Sequence, residues 1–379
     1  MTAGYRCQVC STGALEVVEE YRALPRVTSD AKPWPSGGTL TVCVDCGAIQ
    51  KLPDQGWLRE VKNIYDDYEM YYLSAGAEQL VFTSGGDSEP RSRRLVEYLI
   101  ERVELPGNGC LLDIGCGNGD ALVQFARMLP KWRLYGSEIT ERPLRRLQRL
   151  ENFVRLFTVS PRQIDERFSV VTMIHSLEHM PSPRATVADA VSLLGPGGVL
   201  FIEVPDIEAS PFDLLVADHL MHFSTATLAL LVGRAGVRPS ALVNDVVSKE
   251  LTLIAHPGDG RVPIPDPKRG VHLARATVRW LSDVLAMAQA QASEDRMGIF
   301  GTAVAGMALY GALRDRVSFF VDEDPMRVGR RYDGKPVLAP ADVPEGSAVF
   351  VALPPERAHQ LAERLSGLPV RFVLPPDRE

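Results

Sequence analysis

Four of the six cysteines come in two matched pairs, Cys7-Gln8-Val9-Cys10 and Cys43-Val44-Asp45-Cys46, with 32 residues between them. A C-x-x-C turn presents two sulfurs to one ion, so two such turns make a four-thiolate set for tetrahedral zinc. Four protein ligands leave no position for water or substrate. The expected role is structural: one zinc ion stabilising a segment too small to bury a core of its own. A redox pair is the alternative. Farther along, Leu111-Leu112-Asp113-Ile114-Gly115-Cys116-Gly117-Asn118-Gly119 ends a short apolar strand in three glycines within five residues. Glycine tolerates positive φ and lets a ligand lie against bare backbone, and the next helix offers unpaired N–H groups. A ribose-binding acid belongs at the end of the following strand, about 20 to 25 residues on. Glu138 stands there, after Leu134-Tyr135-Gly136-Ser137. The plain alternatives are a ligand-free βα turn and a helix-capping Glu138.

These residues need elements to position them. From Arg91 the chain alternates between the two periodicities: RSRRLVEYLIERV, DALVQFARMLP, RPLRRLQRLE and RATVADAVSLL read as helices. CLLDIG, WRLYGSEI, FSVVTMIHS and VLFIEVP read as strands between them. Such alternation predicts parallel strands with helical crossovers, an α/β doubly wound sheet. A second alternation begins near Val246 with VVSKELTLIAHPG and runs through GIFGTAVAGMALYGAL, VSFFVDEDP and SAVFVALPP. The expected organisation is a cysteine module at 1–56, an aromatic connector at 57–90, a first α/β domain at 91–243 and a second at 244–379.

The 379 residues carry a net charge of −7, which argues against a nucleic-acid backbone as partner. Hydrophobic residues at 45% and charged ones at 23% suit a globular protein with several buried cores. No apolar run approaches bilayer length, and MTAGYRCQVC lacks the regions of a signal peptide, so a cytoplasmic protein with no membrane partner is expected.

With glycines spaced GxGxG rather than GxGxxG, and Asp113 two residues before the first, the loop resembles motif I of class I S-adenosylmethionine (SAM) methyltransferases. That resemblance implies a Rossmann-like domain holding SAM through Asp113, Gly115, Cys116, Gly117, Asn118, Gly119 and Glu138. His175-Ser176-Leu177-Glu178-His179 resembles the same family's turn after the fourth strand and adds His175 to the cofactor set; Glu178 and His179 are expected to be structural or helix-initiating. LGPGGVLFIEVP resembles the loop before its fifth strand.

The order of cysteine module, SAM domain and second, Rossmann-like α/β domain resembles the sugar C-methyltransferases of antibiotic deoxysugar pathways, which methylate C-3 of a TDP-linked 4-keto sugar. CQVC, CVDCGAIQ, GIFGTAVAGMALYGAL and FFVDEDPMRVGRRYDGKPV carry the likeness over nearly the whole chain. In Val216-Ala217-Asp218-His219-Leu220-Met221-His222-Phe223-Ser224, matching to the family's Y-x-E-H-x-x-x-F-S implies His219 as general base beside Asp218, with His222 a weaker candidate. In YDDYEMYYLS the match implies Tyr72 near the acceptor. The implied partners are SAM and a small nucleotide-linked keto sugar, in a monomer, with the C-terminal domain either gripping the acceptor through its GTAVAG turn or using that turn structurally. Val216 replaces a family Tyr, no Lys follows the GTAVAG turn, and Val247-Ser248-Lys249-Glu250 replaces an H-G-G-S-like stretch. These departures keep open another small-metabolite acceptor, methylated on C, O or N. A non-catalytic or NAD-binding protein on the same folds is the reading from another class.

Overall fold

The computed structural model describes residues 4–70, 78, 80–82, 88–292 and 297–378 of the chain. The two cysteine turns share one geometry. In the first, the Cys7 N–H donates to Thr12 O and the Ser11 N–H to Cys7 O; in the second, Cys43 donates to Ala48 O and Gly47 to Cys43 O. The residue after each second cysteine is left-handed, Ser11 at φ 67° and Gly47 at φ 74°. Antiparallel strands β1 (Leu15–Val17), β2 (Leu40–Cys43) and β3 (Ile49–Lys51) follow, then helix α1 (Gln55–Asp66), capped by Asp54.

The middle of the chain runs α2 (Arg91–Arg102), β4 (Cys110–Ile114), α3 (Asp120–Met128), β5 (Arg133–Ser137), β6 (Phe153–Phe157), β7 (Phe168–Ile174), α4 (Pro183–Ser192) and β8 (Leu194–Pro205). It continues with the short β9 (Met221–His222), α5 (Thr225–Arg234), β10 (Val237–Val243) and β11 (Glu250–Pro257). The sheet order is β6-β5-β4-β7-β8-β11-β10, parallel through β8, with β11 antiparallel to both neighbours. Helices cover both faces, which is why the interior strands read as unbroken apolar runs. Chain direction across the sheet reverses between β4 and β7, and a crevice at that switch point is where such sheets take ligands.

The last part comprises α6 (Pro267–Gln291), β12 (Gly298–Phe300), α7 (Val304–Leu313), β13 (Phe319–Val321), β14 (Arg331–Tyr332), β15 (Lys335–Leu338), β16 (Ala348–Val351), α8 (Pro355–Arg364) and β17 (Arg371–Val373). Its sheet order is β14-β15-β13-β12-β16-β17, parallel from β15 to β17. The α/β class with two Rossmann-like sheets is therefore as expected.

Two expectations change. Glu250–Pro257, expected to open the C-terminal domain beyond 243, is instead the antiparallel strand of the first sheet, between β8 and β10. In RPLRRLQRLE only Leu144–Leu147 is helical, because Pro143 and four arginines leave one short apolar edge to bury. The cysteine module is also less separate than its sequence implies. Its sheet takes β9 as a fourth strand, Met221 opposite Gln50 and His222 opposite Ile49. Cys7, Cys43, Cys46 and Trp57 share one core with Leu112, Met173 and Ile202 of the seven-stranded sheet. Val18, Tyr21 and Leu40 share another with Met307 and Phe320 of the C-terminal sheet. Among the described residues, no helix is long and apolar enough to cross a membrane.

Candidate active site

The glycine loop closes β4 and starts α3. Gly115, Gly117 and Gly119 all have positive φ, at 74°, 51° and 82°. A Cβ on Gly115 would lie 2.4 Å from Ser176 Cβ, and one on Gly117 2.4 Å from Met70 Cε, so bare backbone is required twice over. The Gly117 N–H donates to Glu138 Oε2 at 2.9 Å, which puts the acid at the end of β5 directly against the loop. A loop of bare backbone, without side chains at three of its five positions, beside one carboxylate suits the methionine and ribose portions of SAM. Two residues expected in direct contact hold the loop from behind. Asp113 is buried, accepts from Thr172 Oγ1 at 2.7 Å, and has its carboxyl pushed up to about 7 by burial. The Cys116 thiol is packed into the core against Gly136, so that residue offers the loop only its backbone. The Asn118 carbonyl is tied to Arg146 at 3.0 Å.

Beyond the loop a cleft of about 820 Å³ opens between the two α/β sheets. Met70 lies between loop and cleft, touching the first and lining the second. His175, Glu178, His179 and His219 form part of its wall. His219 donates from Nδ1 to Asp213 Oδ1 at 2.7 Å, and His222 from Nδ1 to Asp213 Oδ2, also at 2.7 Å. Burial alone would push the Asp213 carboxyl up, but the two imidazoles outweigh it and hold the group well below the usual carboxylate range. Behind His222, Lys51 Nζ stands 3.4 Å from Nε2 and donates to the carbonyls of Val216 and of His219, the latter at 2.8 Å. Burial first, and then Arg26, lower Lys51 to about 7; burial and Lys51 lower His222 to about 4. One buried carboxylate thus orients two histidines, and His222 stays neutral near pH 7.

A second set sits alongside. Asp218 accepts from the Ser29 N–H at 2.9 Å and the Ser29 hydroxyl at 2.5 Å, and faces His179 Nδ1 at 3.3 Å. Burial opposes ionisation of Asp218, but His179 overrides it and keeps the carboxyl low. The rings of His179 and His219 meet edge to face, 4.5 Å apart. His175, held at φ 49°, bridges Glu178 at 3.3 Å and Glu250 at 3.0 Å. Burial and Arg91 oppose its charge, yet the two carboxylates raise it to about 9. Glu203 is pushed well up by burial and the neighbouring Glu250. Glu178, His179 and His219 bring a carboxylate oxygen and two ring nitrogens within 4.8 Å of one another.

Of the expected catalytic residues, His219 lines the cleft. Asp218 and His222 lie behind the wall at 0% and 1% exposure. Tyr72 lies outside the described residues. Sequence reading missed Asp213, Lys51, Ser29 and Glu250, and assigned Glu178 and His179 no part in a site. The segment carrying Asp213 to His222 is pinned by the N-terminal module: Trp57 Nε1 donates to Ala217 O, the Ala217 N–H to Val27 O and the Lys51 N–H to Leu220 O.

The four module sulfurs also converge. Cys7 and Cys46 Sγ are 3.6 Å apart, Cys10 and Cys43 Sγ 3.5 Å, and all four lie within 4.8 Å of one another. A tetrahedron with Zn–S bonds of about 2.3 Å has edges of about 3.8 Å, so the set fits zinc.

Residues 88–239 match the family described as "Methyltransferase domain". The chain is 33% identical over 134 residues to the ubiquinone biosynthesis O-methyltransferase of Xanthomonas campestris pv. campestris, covering 32% of this chain and 53% of that protein. It is 33% identical over 133 residues to the protein of the same name from Pseudomonas putida, covering 32% and 54%. The chain thus spans about half the length of the curated relatives it matches. Among solved structures it resembles the CcbJ methyltransferase of Streptomyces caelestis, at 14% identity and a TM-score of 0.39, over 52% of this chain and 96% of that one. The glycine loop, Glu138 and the histidine wall at 175–179 all fall inside the matched span, and residues 88–239 are a methyltransferase domain of the SAM-dependent class.

Proposed function

We propose that this chain is a SAM-dependent C-methyltransferase acting on the carbon beside the ketone of a nucleotide-linked keto-deoxysugar, with His219 as the base. The observation that carries the reading is the Asp213–His219 pair, 2.7 Å apart on the cleft wall. With its Nδ1 proton committed to Asp213, His219 keeps Nε2 as an acceptor. Gly115 to Gly119 and Glu138 would hold SAM, which when bound supplies the electrophilic methyl group. The α-proton of the acceptor passes to His219 Nε2, and the C–H electron pair becomes the enolate. Asp213 stabilises the imidazolium so formed, and His222, backed by Lys51, fixes Asp213 in place. Tyr72 is proposed to stand near the enolate oxygen. The ends of β12, β13 and β16 face the same cleft, which supports a role for the C-terminal domain in holding the acceptor. Cys7, Cys10, Cys43 and Cys46 would hold one structural zinc.

The departures at Val216 and Lys249, together with relatives named as O-methyltransferases, favour a second reading: a hydroxyl of another small metabolite, deprotonated by the same His219. Exchange in deuterated water separates the two. C-methylation requires the α-proton of a nucleotide keto sugar to exchange in the presence of enzyme, and His219→Ala to stop it. A SAM-dependent mass gain on an acceptor that shows no carbon exchange would move the reading to oxygen.

A further inference from the structure

The far side of the cleft carries two cations, Lys249 and Arg357, with Glu250 and Glu356 as their nearest anionic influences. Lys249 stands at the turn between β10 and β11, and Arg357 in the first turn of α8, across the gap between the two sheets. Among the described residues neither makes an ion pair, and the Arg357 guanidinium donates to the Ser248 hydroxyl. The acids around them are mostly engaged. Asp322 and Asp324 face Arg327, Glu323 pairs with Arg364 at 2.7 Å, and Glu250 is shared between Arg91 and His175. Asp245 also lines the cleft and Glu356 stands beside Arg357; both acids are solvent-exposed, as is Arg357 itself. Like charges left together in a partly desolvated cleft raise the energy of the empty protein.

The backbone adds an independent observation. Lys249 has φ 73°, a conformation that favours glycine, and is held in it by the Asp206 N–H donating to its carbonyl at 2.9 Å. A charged side chain is thus retained where the backbone asks for none, and backbone strain of this kind collects at functional sites. The ends of α7 and α8 also face the cleft, with N-cap residues Ala303 and Pro354 that provide no side-chain acceptor for the first N–H groups.

We propose that Lys249 and Arg357 form an oxyanion-binding subsite that grips a phosphoryl or carboxylate group of the acceptor. The subsite rests on the cleft being the acceptor site of the methyltransferase. It lies one residue along the chain from Glu250, which bridges to His175 of the catalytic wall, so an acceptor held there by its anionic end reaches toward His219. Burial, and then Arg357, lower Lys249 to about 8, so it still carries its charge near pH 7, and an anion arriving between the two stabilises that charge.

The test is titration of the full chain with inorganic pyrophosphate and, separately, with citrate, followed by calorimetry. Wild type is compared with Lys249→Gly, Arg357→Gln and a control, Arg59→Gln, on an exposed face of α1. Both cleft variants are expected to weaken one of the anions at least tenfold, with the control unchanged. Pyrophosphate affected alone assigns a phosphoryl group, and citrate alone a carboxylate. Lys249→Gly also relieves the left-handed strain, so its thermal midpoint is expected to rise while binding falls; a merely structural lysine would lower both. Equal binding in all four proteins, or none in wild type, overturns the subsite. S-adenosylhomocysteine is titrated into the same samples. If it fails to bind while the anion result stands, the methyltransferase reading fails and the subsite survives.

Discussion

His219 can work as a base only if one ring nitrogen is kept free, and Asp213 does this from behind the wall at 2.7 Å. Asp213→Asn replaces an obligate acceptor with a group that can also donate. The account expects kcat to fall on the order of 10² to 10⁴-fold, with S-adenosylhomocysteine affinity unchanged, in steady-state and calorimetric measurements. A second prediction concerns His175, raised to about 9 between Glu178 and Glu250. A histidine with a raised folded pKa contributes stability that is fully present below its ordinary value near 6.5 and lost as pH rises through about 9. The stability gap between wild type and His175→Gln should therefore shrink by up to about 3 kcal/mol across that window, read from denaturant melts at a series of pH values. Part of this scale was legible in the sequence. Three glycines in five residues and an acid one strand later announce themselves because only local backbone geometry is involved. Asp213, Lys51 and Glu250 gave no signal, since Lys51 meets His222 only through strand pairing across 171 positions.

Two turns and one loop do the positioning among the elements. A Cβ added at Gly115, which has φ 74°, would press on Ser176, so Gly115→Ala is expected to cost about 1–3 kcal/mol and to abolish SAM binding. Thermal melts with and without S-adenosylhomocysteine measure both. The matched cysteine turns were readable because each C-x-x-C spacing suffices to set its own knuckle. Metal analysis should return about one zinc removed by Cys43→Ser, with stability falling by at least about 3 kcal/mol, because Cys43 also belongs to the core shared with the SAM-type sheet. The place of Glu250–Pro257 in that sheet was not readable. An apolar strand carries no mark of its direction or its neighbours, and only its pairing with Leu200–Pro205 places it.

Across the whole molecule the N-terminal module is a wedge. It shares one core with the SAM-type sheet and another with the C-terminal sheet, and it pins the segment that bears Asp213 and His219. A chelator should consequently lower the melting temperature of the entire chain in one coincident transition by near- and far-ultraviolet circular dichroism. A module that melted by itself ahead of the rest would contradict the shared cores. The same coupling predicts that stripping zinc from the proposed site suppresses turnover without any ligand atom reaching the acceptor. The central claim, that bare backbone at Gly115 to Gly119 and the carboxylate of Glu138 hold SAM, is tested most directly by calorimetric titration of S-adenosylhomocysteine into the full chain. The account predicts one site per chain with affinity in the micromolar range, lost in Glu138→Ala; absence of heat with the wild-type protein, or undiminished binding in the variant, would contradict it.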